Sequence, residues 1–170
     1  MTGTGQRAVI AIGSNLGDRE GTIRAAVAGI RELPLTEPVA ASGLVQTAAL
    51  RPEGVDPDAP AYLNAVVIVS TELSPEQLLA ALQRLELTHG RVREVRWGDR
   101  TLDLDIVSFG ELIRETPALT LPHPRAAERA FVLVPWLQAD PDAVLPGRGP
   151  VRQLPAASEP VGIHPAEPLL

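Results

Sequence analysis

Residues 62–90 read YLNAVVIVSTELSPEQLLAALQRLELTHG, and the change of period inside this stretch decides the fold. Its first half, Tyr62 to Leu73, is a β-branched, apolar run that reads as a strand. Its second half carries every boundary signal of a helix. Ser74 is placed to cap it, Pro75 suits the first helical position, Gln77 completes a capping box and Gly90 marks the stop.

Working outward, RAVIAIGSN (7–15) predicts a short strand ending near Gly13. GDREGTIRAAVAGIREL (17–33) then places Ile23, Val27, Ile30 and Leu33 at helical spacing, with Asp18 or Ser14 as cap. VAASGLVQTAAL (39–50) predicts a second strand, and PEGVDPDAPA (52–61) a loop. Past residue 100, TLDLDIVSFG returns to a strand pattern. The order strand, helix, strand, strand, helix, strand is that of an α+β ferredoxin-like sandwich. Its sheet is mainly antiparallel, with helices packed on one face and the other left for ligands. A short helix is expected over Arg125 to Leu137, interrupted at Val134 because Pro135 follows. The proline-rich segment from about 146 is expected to wrap the surface, with at most a short edge strand near Val161 to His164. A chain of 170 residues is expected to form one domain, 1–170, without a second enzyme domain of ordinary size.

Composition narrows the function. No apolar run is long enough for a membrane span and the N-terminus MTGTGQR lacks a signal pattern, so a soluble cytoplasmic protein is expected, with no membrane partner. There is no cysteine, so any metal must be held by carboxylates, histidines or backbone oxygens, which favours a hard cation such as Mg²⁺. A net charge of -6 argues against a broad nucleic-acid surface. All 15 basic residues are Arg; without Lys there is neither a Walker A loop nor a Schiff base, and phosphates must be held by arginine forks.

The strand after residue 100 carries an anomaly. Side chains alternate along a strand, so Asp103 and Asp105 share one face while Leu102, Leu104 and Ile106 share the other. Their Cα atoms lie about 7 Å apart, close enough for both carboxylates to reach one divalent ion or a pair. A solvated strand face is the plain alternative, but Asp is disfavoured in strands. Upstream, Arg91, Arg93, Arg96 and Arg100 crowd a glycine-bounded loop suited to closing over a polyphosphate, or else simply paired with Glu86, Glu94 and Asp99. His123 sits between two prolines in LPHPR, where it can donate to a phosphate. Tyr62 and Phe131 belong in a core or stack on a flat ligand. These residues alone leave three readings: a Mg²⁺-dependent phosphoryl transferase, a nucleotidyl transferase, or a binding module whose aspartates hold a structural ion.

Taken together, GSNLGD, YLNAVV, LELTHGRVR, RWGDRTLDLDI and LPHPRAAERAFVL resemble, in order and spacing, 6-hydroxymethyl-7,8-dihydropterin pyrophosphokinase, over roughly residues 8–145. The resemblance implies a ferredoxin-like fold and transfer of pyrophosphate from ATP to the pterin hydroxymethyl group in folate biosynthesis, releasing AMP. It implies that Asp103 and Asp105 ligate two Mg²⁺ ions and that Arg91 and Arg100 close on the phosphates. Arg93 and Trp97 would seal the site, while Gln83, Glu86, Ile106, Thr120, His123 and Arg129 would contact nucleotide. Tyr62 and Phe131 would sandwich the pterin, Asn64 would read its edge, and Thr47 and Leu50 would offer backbone groups. Asp99 departs from the proline common in the family. The expected partners are ATP and the pterin, and the chain is expected to act as a monomer.

Overall fold

The computed structural model describes residues 4–15, 17–47, 49–51, 54–56, 61–89 and 102–170. Strand β1 (Gln6–Ser14) leads to helix α1 (Arg19–Arg31), followed by β2 (Thr36–Ala41) and β3 (Leu44–Thr47). A small hairpin of β4 (Ala49–Arg51) and β5 (Gly54–Asp56) precedes β6 (Tyr62–Thr71), α2 (Pro75–Thr88) and β7 (Asp103–Phe109). The chain closes with the β8 (Arg114–Glu115) and β9 (Thr120–Leu121) pair, α3 (Ala130–Ala139), the β10 (Val144–Leu145) and β11 (Gly149–Pro150) pair, and β12 (Gly162–His164).

Among the described residues the main sheet runs β12-β3-β6-β1-β7, with β2 beside the other half of β6, and every pairing is antiparallel. The expected ferredoxin-like order is therefore present. Both expected helix starts are capped as their chemistry dictates. Asp18, not Ser14, accepts the Gly21 amide at 3.0 Å, and Ser74 and Gln77 exchange reciprocal bonds of 3.1 and 2.9 Å.

Alternation sorts the sheet residues between two cores. Ile10, Ile12, Leu63, Ala65, Val67, Leu104 and Ile106 face α1 and α2, where Ile23, Val27, Ile30, Leu78 and Leu82 meet them. Val9, Val66, Ile68 and Val107 face the opposite way, onto Val132, Leu133 and Trp136 of α3. The face expected to lie open is thus partly covered by a helix outside the βαββαβ unit. The C-terminal segment also does more than wrap the surface, because Leu145, Val151 and Ala156 are buried in this second core.

Three local expectations are corrected. The second strand breaks at Ser42 and Gly43, because Ser42 Oγ accepts the Val66 amide (2.8 Å) and the Gly43 amide donates to Gln138 of α3 (3.1 Å). Residues 54–56 of the expected loop form β5. Residues 126–128 form a 3-10 turn, Arg129 is extended, and α3 then runs unbroken through Pro135. An internal proline costs a helix about 3 kcal/mol, while each large apolar side chain buried contributes roughly 1.5–3 kcal/mol. Val132, Leu133 and Trp136, all buried, outweigh it.

Strand β7 contains a bulge that matters for the site. Ile10 pairs with Ile106 but Val9 pairs with Ser108, so Val107 is an extra residue. Its carbonyl accepts the His123 amide at 2.8 Å, which pins the LPHPR segment alongside β7.

Candidate active site

On the α3-side face the candidate residues gather where β1 ends and β6 and β7 begin. Gly13 pairs with Asn64 on one side and Asp103 on the other, so these three positions form a row across the sheet. The next row places Ala11 between Val66 and Asp105. Glycine and alanine make the floor of the row low. A Cβ on Gly13 would stand 3.0 Å from Asn64 Oδ1 and 3.9 Å from the Tyr62 ring.

Asp105 is exposed and Asp103 half-buried, both on the face opposite Leu104 and Ile106, as the alternation predicts. Among the described residues no three metal-binding side chains gather into a complete cage. Two adjacent carboxylates nonetheless fit Mg²⁺, which binds through one or two carboxylates and takes its remaining ligands from phosphate and water.

Beneath them, Glu86 of α2 is only 3% exposed and its Oε2 accepts the Leu104 amide at 3.0 Å. Gln83, three residues earlier on the same helix, is exposed. Ile106 lies in the core with its side chain turned away from the aspartates, so its main chain is the part available to a ligand on that face. Thr120 is half-buried on β9, which packs beside β7.

On the outer side of β7, His123 follows the cis Leu121-Pro122 bond. Its Nδ1 accepts the Arg125 amide at 3.2 Å, so the neutral ring carries its proton on Nε2, free to donate. Burial pushes the His123 pKa below its ordinary value, Asp105 opposes this, and the charges of Arg129 and Arg125 add to the depression. Burial also works against the Arg129 charge, and Asp105 and Asp103 offset that while Arg125 reinforces it. These shifts mark one electrostatic cluster spanning β7, the LPHPR turn and the start of α3. Arg129 also lies 5.5 Å from the centroid of the half-buried Phe131 ring, within cation–π range.

At the other end of the row, Asn64 is 6% exposed and its Nδ2 donates to Thr47 Oγ1 at 3.1 Å. That fixes the amide's orientation. Thr47 pairs with Tyr62, so both stand at the same edge of the face. Leu50 lies on β4. Arg91, Arg93, Arg96, Trp97, Asp99 and Arg100 fall outside the described residues.

The structure adds residues that sequence reasoning passed over. Gly13 forms the floor between Asn64 and Asp103, and its signal was the glycine closing the first strand. Arg19 donates to the Ala61 carbonyl at 2.6 Å and ties the start of α1 to the residue before Tyr62. Nothing in the sequence announces that long-range bond. Arg125 enters through its amide on His123, a contact set by the turn rather than by residue type.

The chain matches the family 7,8-dihydro-6-hydroxymethylpterin-pyrophosphokinase (HPPK) over residues 9–141. It is 44% identical over 159 residues to a 2-amino-4-hydroxy-6-hydroxymethyldihydropteridine pyrophosphokinase of Pseudomonas aeruginosa, covering 94% of this chain and 96% of that one. It is 43% identical over 147 residues to the enzyme of the same name in Haemophilus influenzae, covering 86% and 89%. Among solved structures it is similar to HPPK-DHPS in complex with substrates, with TM-score 0.66 and 13% identity, over 88% of this chain and 43% of the other. The Plasmodium falciparum HPPK-DHPS triple mutant gives TM-score 0.65 and 16% identity, over 90% and 44%. This chain therefore spans less than half the length of those two solved chains, and at such identities the likeness concerns the fold. With the sequence match covering most of its length, the chain belongs to the 7,8-dihydro-6-hydroxymethylpterin-pyrophosphokinase family.

Proposed function

We propose that this chain transfers pyrophosphate from ATP to the hydroxymethyl group of 6-hydroxymethyl-7,8-dihydropterin in folate biosynthesis, in a reaction that requires Mg²⁺. The pterin oxygen attacks the β-phosphorus, the bond between that phosphorus and the α–β bridging oxygen breaks, AMP leaves, and the hydroxyl proton is lost. The observation that carries this reading is the row Asn64, Gly13, Asp103, which sets an amide able to read a heterocycle across the sheet from a carboxylate pair suited to a metal–polyphosphate.

In this reading Tyr62 and Phe131 stack on the pterin and Asn64 reads its edge, with Thr47 and Leu50 supplying main-chain contacts. Asp103 and Asp105 hold two Mg²⁺ ions, which when bound would neutralise phosphate charge and make the hydroxyl more acidic. His123 donates from Nε2 to a phosphate oxygen, Arg129 supplies a fixed positive charge, and Gln83, Glu86, Ile106 and Thr120 line the nucleotide path along the β7 edge. Arg91 and Arg100 close on the phosphates, and Arg93 and Trp97 exclude water. The protein works as a single-domain cytoplasmic monomer.

The test is to incubate the chain with ATP, Mg²⁺ and the pterin and identify the nucleotide formed. AMP made only in the presence of pterin supports the reading. Pterin-dependent ADP would replace it with simple phosphoryl transfer, and no pterin-dependent product would end it.

A further inference from the structure

Strand β3 is four residues long and pairs with β6 through Val45, Gln46 and Thr47. A strand this short frays readily unless its outer edge is covered. Yet its last residue, Thr47, receives the Asn64 amide and so orients the group that faces the pterin. Something must hold β3 in place, and the structure shows residues 162–170 doing so from two sides.

First, β12 covers the outer edge of β3, pairing Gly162 with Gln46, Ile163 with Val45 and His164 with Leu44. The chain then turns over the break between β2 and β3, where residues 166–170 and Ala41, Ser42 and Gly43 line a common groove. Leu169 enters the core beneath α1 and α2. Arg24 of α1, itself 3.2 Å from Glu20, donates to the carbonyls of Glu167 (2.7 Å) and Pro168 (3.2 Å). The tail is thus fastened to α1 at one end and zipped to β3 at the other.

We propose that residues 162–170 form a clasp that positions β3 and, through Thr47 and Asn64, the wall that recognises the pterin. This rests on the reading of Asn64 as the pterin-facing amide. Arg24 and Leu169 are positioning residues in it, on α1 and the C-terminal segment rather than on β7. The clasp serves pterin binding and leaves the ATP side unaffected.

The experiment compares the full chain with a chain ending at residue 161 and with the single variants Arg24→Ala and Leu169→Ala. Two readouts are taken: amide hydrogen exchange, and KM for each substrate together with kcat. Loss of the clasp speeds exchange at Leu44–Thr47 by about tenfold or more with β1 unchanged, and raises the pterin KM about fivefold, the scale of one weakened hydrogen bond. KM for ATP and kcat stay within about twofold. If the shortened chain does not fold, the two single variants carry the test, with smaller shifts in the same direction. Unchanged β3 exchange, or an unchanged pterin KM, overturns the proposal. So does a uniform rise in exchange across β1 and β3 with both KM values and kcat moving together, which is general destabilisation. If the full chain shows no pterin-dependent turnover, the functional reading has failed, and the exchange contrast still reports on the clasp.

Discussion

The carboxylate of Glu86 reaches from α2 to the main-chain hydrogen of Leu104, the residue standing between Asp103 and Asp105. A buried acid thus fixes the backbone of the strand that carries both candidate metal ligands. Removing it leaves a buried amide without that acceptor. Glu86→Ala should destabilise the protein by about 1–3 kcal/mol, and Glu86→Gln, which keeps an acceptor oxygen, by less. Urea denaturation checks the ranking; equal losses in the two variants would contradict it.

Asp103→Ala and Asp105→Ala should each lower turnover by about a hundredfold or more, as expected when a carboxylate that holds a catalytic cation is removed. Because Asp105 is exposed and Asp103 half-buried, either variant should still fold, which circular dichroism checks. Full activity in either variant would remove the metal from the mechanism.

Gly13→Ala tests the low floor of the row. The added Cβ meets Asn64 Oδ1 at 3.0 Å, so the amide must shift. The pterin KM should rise on the order of tenfold while KM for ATP holds, since small displacements of a positioning group are costly. Steady-state kinetics with each substrate varied in turn decides it.

His123 supplies a pH signature. Burial holds its pKa below 6.5 in the folded chain, with Arg129 and Arg125 adding to the effect and Asp105 opposing it. As pH falls, the unfolded chain therefore binds the proton first. The contribution to stability is complete above 6.5 and is lost as pH drops through the folded value. His123→Gln should flatten the fall of the urea midpoint between about pH 7 and 5. An unaltered slope would show that the ring does not report on folding.

Much of this was readable in advance where the determinant was local. The Ser74–Gln77 box and the spacing from Ile23 to Ile30 depend on residues within one or two turns, and both helices stand where they were expected. The alternation of Asp103, Leu104 and Asp105 likewise follows from the strand itself. What could not be read depends on distant partners: the break at Ser42, made by bonds to Val66 and Gln138; the course of α3 through Pro135, made by burial against the sheet; and the Arg19 bond to Ala61. The candidate site divides in the same way: the shared face of Asp103 and Asp105 was legible, and the Gly13 floor and the Thr47–Asn64 bond beside it were not.

The surplus residue in β7 acts as a phase slip. Upstream of it, odd-numbered side chains look toward the face that carries Asn64 and even-numbered ones inward; downstream, Phe109 is inward. Without the slip the strand would have to choose between presenting two acids at one end and burying an aromatic ring at the other. No single substitution removes the slip, whereas deleting Val107 would bring the second half of the strand back into the phase of the first and remove the carbonyl that accepts the His123 amide. The carboxylate pair of β7 and the turn that carries His123 are therefore joined by one residue's worth of extra chain.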